Sequence, residues 1–153
     1  MADEIWDKYF LDMAALAATK SKDPSTKVGA IIVGPDREIR SSGYNGQPRG
    51  ADDAASERHE RPEKYYWFEH AERNAIYNAA RSGTSTLGCT LYVTPIHPCM
   101  DCARGIVQAG IVEVVVPLAD GHERWAHHTE RRRKLFEETG VVFRMVERRP
   151  HEV

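Results

Sequence analysis

Two short segments carry side chains suited to metal chemistry: His70-Ala71-Glu72 and Pro98-Cys99-Met100-Asp101-Cys102. One imidazole and two thiolates can hold a zinc ion and leave its fourth position open, which is a catalytic arrangement; a closed structural site fills all four. Two thiolates and a neutral imidazole cancel the charge of Zn²⁺. A water on such a metal can be drawn toward a pKa of roughly 7, against about 15.7 in bulk. Glu72 adds a carboxylate beside the metal that need not bind it and can accept the proton of that water. The C-x-x-C alone also fits a redox pair, or half of a structural zinc site completed by Cys89 or His97. Glu72 weighs against a structural site, which has no use for it. Cys89 begins a strand and reads as a small core residue, whereas His97 either lines the site or is exposed.

These residues need particular elements to bring them together. Cys99 and Cys102 are three apart at an expected helix start, so their sulfurs face the same way. His70 and Glu72 are two apart and would diverge in mid-helix. At a helix's first turn both can reach beyond its end, so two helix N-termini meet at the metal and their positive ends favour the thiolates. Apolar spacing predicts a first helix over residues 4–20 and strands over 28–33 and 38–43, the strands joined by the turn Gly34-Pro35-Asp36. Residues 45–66 read as a long irregular loop of the kind that tends to be functional. A helix over 70–81, ended at Ser82-Gly83, precedes a strand over 89–94. Next come a helix over 98–109 starting at Pro98, a strand over 112–116, a charged helix over 123–139 and a closing strand over 141–146. Strands separated by helices imply an α/β fold with parallel pairs, right-handed crossovers and helices on both faces.

The 153 residues suit one domain spanning 1–153, and no repeat or linker divides them. The net charge of −2 disfavours a nucleic-acid partner, though not a small anionic substrate. No stretch is apolar enough to span a bilayer, and the acidic N-terminus lacks the basic region of a signal peptide. Three cysteines, two of them in C-x-x-C, suit a reducing compartment, so the expected location is cytoplasmic.

The H-x-E…P-C-x-x-C order is an established signature of zinc-dependent nucleobase deaminases. The chemistry expected from it is attack of the metal-bound hydroxide on C4 of a cytosine ring. Glu72 carries the proton to N3 and then helps protonate the departing amine. The match runs past this signature. Ser21-Lys22-Asp23-Pro24-Ser25-Thr26-Lys27-Val28-Gly29-Ala30, Gly43-Tyr44-Asn45-Gly46-Gln47-Pro48-Arg49-Gly50, His70-Ala71-Glu72-Arg73-Asn74-Ala75-Ile76, Leu91-Tyr92-Val93-Thr94 and Ile106-Val107-Gln108-Ala109-Gly110-Ile111 resemble the deoxycytidylate (dCMP) deaminase family. The Gly-Tyr-Asn-Gly segment separates that family from other zinc deaminases better than the metal motif does. The resemblance runs from the first helix to about Val116.

This resemblance implies the cytidine deaminase-like fold, a three-layer α-β-α sandwich with a mixed five-stranded sheet. It implies His70, Cys99 and Cys102 as zinc ligands and Glu72 as proton shuttle. Asn45 stands where relatives hydrogen-bond the substrate sugar, and the Ala71 amide would meet the pyrimidine carbonyl. It further implies homo-oligomers (hexamers or dimers), activation by dCTP and inhibition by dTTP, and Mg²⁺ accompanying a nucleotide effector. The product, dUMP, feeds thymidylate synthesis. From its residue type alone, Arg49 could reach a phosphate or be a solvated loop residue.

Two features depart from the family's pattern. Some members hold a second zinc through an extra cysteine near the N-terminus; here that region has Asp23 and Ser25, so one zinc per chain is expected. The family's tyrosine after the fourth strand is missing, and Trp125 or the pair His127-His128 could stand in. The substrate could therefore be a modified deoxycytidylate or a nucleoside; a guanine-type base and adenosine in tRNA are further options, the last disfavoured by charge. A non-catalytic zinc domain that binds a regulatory nucleotide is the rival of another class. Arg131-Arg132-Arg133-Lys134 reads as an exposed basic face, with an effector phosphate or subunit contact as the alternative; Trp67 and Phe68 read as pocket wall or core, with a ring stacked on the substrate base or an interface as further options.

Overall fold

The computed structural model describes residues 2–118 and 126–147. Five strands form one mixed sheet in the order β2-β1-β3-β4-β5. Helix α1 (Ala2–Ala18) leads into a hairpin of β1 (Gly29–Val33) and β2 (Ile39–Tyr44). A turn of 3₁₀ helix (Ser56–His59) and a short α2 (Lys64–Trp67) precede α3 (Ala71–Ser82) and β3 (Thr90–Thr94). Helix α4 (Met100–Gln108), β4 (Glu113–Pro117), α5 (Ala126–Thr139) and β5 (Val142–Val146) complete the order.

Both faces of the sheet are covered, which explains why its central strands read as continuous apolar runs. Successive side chains of β1, β3 and β4 alternate between two cores. Ile31, Val33, Tyr92 and Val115 pack with Phe10, Leu11 and Ala14 of α1. Ala30, Ile32, Leu91, Val93, Val114 and Val116 pack on the other side, with Ala71 and Ala75 of α3, Ala103 and Ile106 of α4, and Phe136 of α5. The layers are thus α1, sheet, and α3-α4-α5, and the expected three-layer sandwich with a mixed sheet is what forms.

Strand β3 does not pair with β2, the strand before it in the chain. It lies antiparallel to β1, matching Gly29 with Thr94 and Val33 with Thr90, so the β2–α3–β3 connection passes over β1. Only β3, β4 and β5 form the parallel pairs expected from the alternation of strands and helices. The loop predicted over residues 45–66 holds the two short helices instead of being irregular throughout. A single turn buries too little apolar surface to show periodicity; here Lys64, whose side chain is buried, anchors it.

Two glycines allow close packing. A Cβ on Gly29 would lie 1.9 Å from the Ala14 carbonyl oxygen of α1. One on Gly43 would lie 2.4 Å from the Ala75 nitrogen and 2.5 Å from the Ala71 oxygen of α3. Gly43 thereby seats the first turn of α3 directly on β2, next to the residues that begin the site.

Candidate metal centre and substrate pocket

Both halves of the metal motif sit at helix starts. His70 is the N-cap of α3, with extended backbone at φ −80° and ψ 153°. Cys99 is the N-cap of α4, at φ −75° and ψ 175°. Helix α4 begins at Met100 and not at Pro98, so the proline precedes the cap. An N-cap side chain points over the helix end, and that is how His70 and Glu72 escape the divergence of mid-helix positions. Cys102 occupies the first turn of α4 and comes back toward Cys99.

The ligand-capable atoms of His70, Cys99 and Cys102 lie within 4.8 Å of one another. His70 Nδ1 is 3.3 Å from each of the two sulfurs. Tetrahedral zinc with ordinary Zn–S and Zn–N bonds sets ligands about 3.5 Å apart, so this spacing and donor set fit the ion. Among the described residues it is the sole grouping of this kind, and no cluster of acidic side chains supports the Mg²⁺ expectation. Cys89 is fully buried in the core and belongs to a different region, its sulfur near the carbonyls of Ser85 and Leu87.

The three side chains of the triad shift one another's ionisation. The hydrogen bond shared with Cys102, helped by His70, brings Cys99 down to about 3. Burial pushes Cys102 well above the ordinary thiol range, and its neighbours Cys99 and Glu72 add to this. Without a metal the pair therefore holds one proton. Burial works against charging His70, but the hydrogen bond to Cys99 and the nearby Glu72 raise it overall. Glu72 is 3% exposed, and burial lifts its carboxyl above the usual range against the pull of His70. A carboxyl raised in this way holds its proton more readily than an exposed one, which suits a group that both takes and gives a proton.

A pocket opens over this cluster, lined by His70, Ala71, Glu72, Cys99, Asn45 and His97 among others. Ala71 is the first residue of α3, where backbone N–H groups lack intrahelical partners. Asn45 is buried, and its amide is already engaged: Oδ1 accepts from Val28 N at 2.8 Å, while Nδ2 donates to Asp23 Oδ2 and to the Thr26 carbonyl. Its remaining capacity is the second lone pair of Oδ1, an acceptor for a hydroxyl. His97 lines the pocket, with Nε2 2.8 Å from the Pro117 carbonyl oxygen. Phe68 is in the wall, whereas Trp67 is not; its ring carries the Arg58 guanidinium at 3.6 Å.

Arg49 lies elsewhere. It is exposed, absent from the pocket lining, and bonds Asn78 Oδ1. Trp125 falls outside the described residues. His128 is turned toward the metal motif, not toward the pocket: its Nδ1 accepts the Met100 amide at 2.9 Å. Arg132, read as part of an exposed basic face, is 4% exposed. It donates to the Pro98 carbonyl at 2.7 Å and stacks over Phe143 at 4.8 Å. One turn apart on α5, His128 and Arg132 thus grip the backbone on either side of Cys99.

Sequence reading missed the polar floor beside Asn45. Lys64 Nζ reaches Asp23 Oδ2 at 2.7 Å and Ser25 Oγ at 2.8 Å, and Asp23 and Lys64 both line the pocket. Asp23 also accepts from the Ser25 and Thr26 amides. The Asp-Pro-Ser-Thr turn was visible in the sequence, but nothing local pairs it with a lysine 41 positions later.

Comparison with known proteins agrees with this geometry. The family model described as "Cytidine and deoxycytidylate deaminase zinc-binding region" matches residues 4–118. The human deoxycytidylate deaminase is 39% identical over 144 residues, covering 91% of this chain and 78% of that protein. A deaminase of Aliivibrio fischeri, described as uncharacterized and encoded in the luxG 3′ region, is 42% identical over 138 residues, covering 89% of this chain and 90% of its own length. The crystal structure of the cyanophage S-TIM5 dCMP deaminase, in complex with dCMP and dUMP, superposes with a TM-score of 0.75 at 28% identity. It covers 95% of this chain and 99% of the phage enzyme. The chain belongs to the cytidine and deoxycytidylate deaminase zinc-binding family.

Proposed function

We propose that this protein deaminates dCMP hydrolytically to dUMP and ammonia, using one zinc ion held by His70, Cys99 and Cys102. The observation that carries this reading is the buried Glu72 carboxyl beside a His-Cys-Cys triad at the bottom of a pocket, in a chain of this family. When bound, zinc supplies Lewis acidity toward water and oxygen. Glu72 takes a proton from the attacking water as oxygen adds to C4 of the pyrimidine. It passes that proton to N3, then carries the proton of the new C4 hydroxyl to the exocyclic nitrogen; the C4–N bond breaks, ammonia leaves and the oxygen becomes the C4 carbonyl of dUMP. The Ala71 amide donates to the base carbonyl, and Asn45 Oδ1 accepts from the sugar hydroxyl. Asp23 is paired with Lys64 at 2.7 Å, and this reading takes one zinc per chain.

The reading treats the chain as a single deaminase domain. Self-association is supported by the exposed apolar side of α1, where Ile5 and Leu16 are each 70% exposed. No described helix is long and apolar enough to cross a membrane. Effects of dCTP and dTTP carry over from the family resemblance alone, and rate measurements with each nucleotide, with and without Mg²⁺, test them.

Ammonia release from a panel of nucleotides, nucleosides and bases tests the substrate. Turnover of nucleosides ahead of monophosphates would overturn the choice of dCMP. Glu72→Gln is expected to keep zinc and fold while losing at least ~1,000-fold in kcat, as befits loss of a proton shuttle that also orients the water. Substantial turnover by that variant would remove Glu72 from its role.

A further inference from the structure

We propose that Arg61 anchors the 5′-phosphate of the substrate and so determines the choice of nucleotide over nucleoside. This rests on the deaminase reading above and assigns the phosphate subsite that it leaves open.

A nucleoside monophosphate brings a dianion into a pocket whose floor is already balanced. The charged side chains lining it are Asp23, Arg61, Lys64, His70 and Glu72. Lys64 is committed to Asp23 at 2.7 Å and to Ser25, so its charge is cancelled on the spot. His70 belongs to the metal triad. Arg61 has no carboxylate partner among the described residues. Its neighbour Glu63 does not take it up, accepting instead from Trp67 Nε1 at 3.0 Å. Nor does Arg49 compete, since it points away to Asn78.

Position supports the same assignment. The amine-bearing edge of the base must reach Glu72 and the triad at the buried end. The 5′ end of the nucleotide then lies toward the opening, and Arg61 is an exposed residue of the lining. Its guanidinium sits 5.9 Å from the ring of Tyr65, another lining residue. A planar guanidinium fork matches two phosphate oxygens, and charge-assisted bonds of this kind are among the strong ones.

The test is the ratio of kcat/KM for dCMP to that for deoxycytidine, measured on the zinc-loaded enzyme and its Arg61→Gln and Arg61→Lys variants. Loss of one charge-assisted phosphate contact lowers the ratio by ~30-fold in Arg61→Gln, with Arg61→Lys retaining more of it. A ratio unchanged in Arg61→Gln overturns the assignment, including where a folding defect lowers both substrates together. If the parent enzyme prefers dCMP and the variant keeps that preference, the deaminase reading stands and the Arg61 subsite falls. If the parent turns over neither compound, the deaminase reading itself falls, and with it the subsite.

Discussion

At Asp23 a buried carboxylate is held ionised by its partners. Burial alone would raise its pKa, but hydrogen bonds from Lys64, Ser25 and Thr26, with the lysine's charge, bring it below the usual carboxylate range. A carboxylate whose folded pKa is depressed stabilises the protein above its unfolded pKa of about 4. That contribution is lost as pH falls from there through the folded value. Chemical denaturation between pH 7 and pH 3 is expected to show this loss, and an Asp23→Asn variant to show a flatter profile. Removing one partner strands the other, so Asp23→Asn also costs about 3 kcal/mol at neutral pH. The thiols behave oppositely with metal. Cys102 holds its proton in the metal-free triad, so zinc binding is expected to release protons, in a number that falls on alkalinisation; calorimetry in buffers of differing ionisation enthalpy measures it.

Two elements act on the metal centre from outside it. Helix α5 clamps the Pro98–Met100 backbone through Arg132 and His128. Loss of such an outer support is expected to weaken zinc retention by ~10–100-fold, so Arg132→Ala should lose zinc to a chelator sooner than the parent. Strand β2 acts through the contact of Gly43 with α3. A side chain there must push α3 away, taking His70 and Glu72 with it. Gly43→Ala is expected to cost about 1–3 kcal/mol in a denaturant titration and to lower kcat disproportionately.

For the molecule as a whole, a zinc ion held by His70 and the two cysteines would join α3 to α4, across the larger of its two cores. An ion that binds only the folded chain stabilises it by mass action. Removing it with a chelator is expected to lower Tm by on the order of 10 °C, read by thermal unfolding with and without added zinc. Failure of Tm to respond would mean that the triad does not bind metal in the native fold.

Much of this protein was legible along the chain because the signals are local. His70 and Glu72, and Cys99 and Cys102, lie within one helical turn, so residue type and spacing suffice to mark a candidate metal site at two helix starts. The apolar runs of β1, β3 and β4 and the glycines ending α3 and α4 are equally local. What the chain could not show depends on partners brought together by the fold. Arg132 stands in a basic run, yet Phe143 and the Pro98 carbonyl bury it. Arg49 stands in a glycine-rich motif beside the site, yet turns to Asn78. Lys64 meets Asp23, and β3 crosses to β1, over separations along which no periodicity runs. Chemistry carried by neighbouring residues can be read from their order; burial and charge pairing belong to surroundings that exist only once the chain has closed on itself.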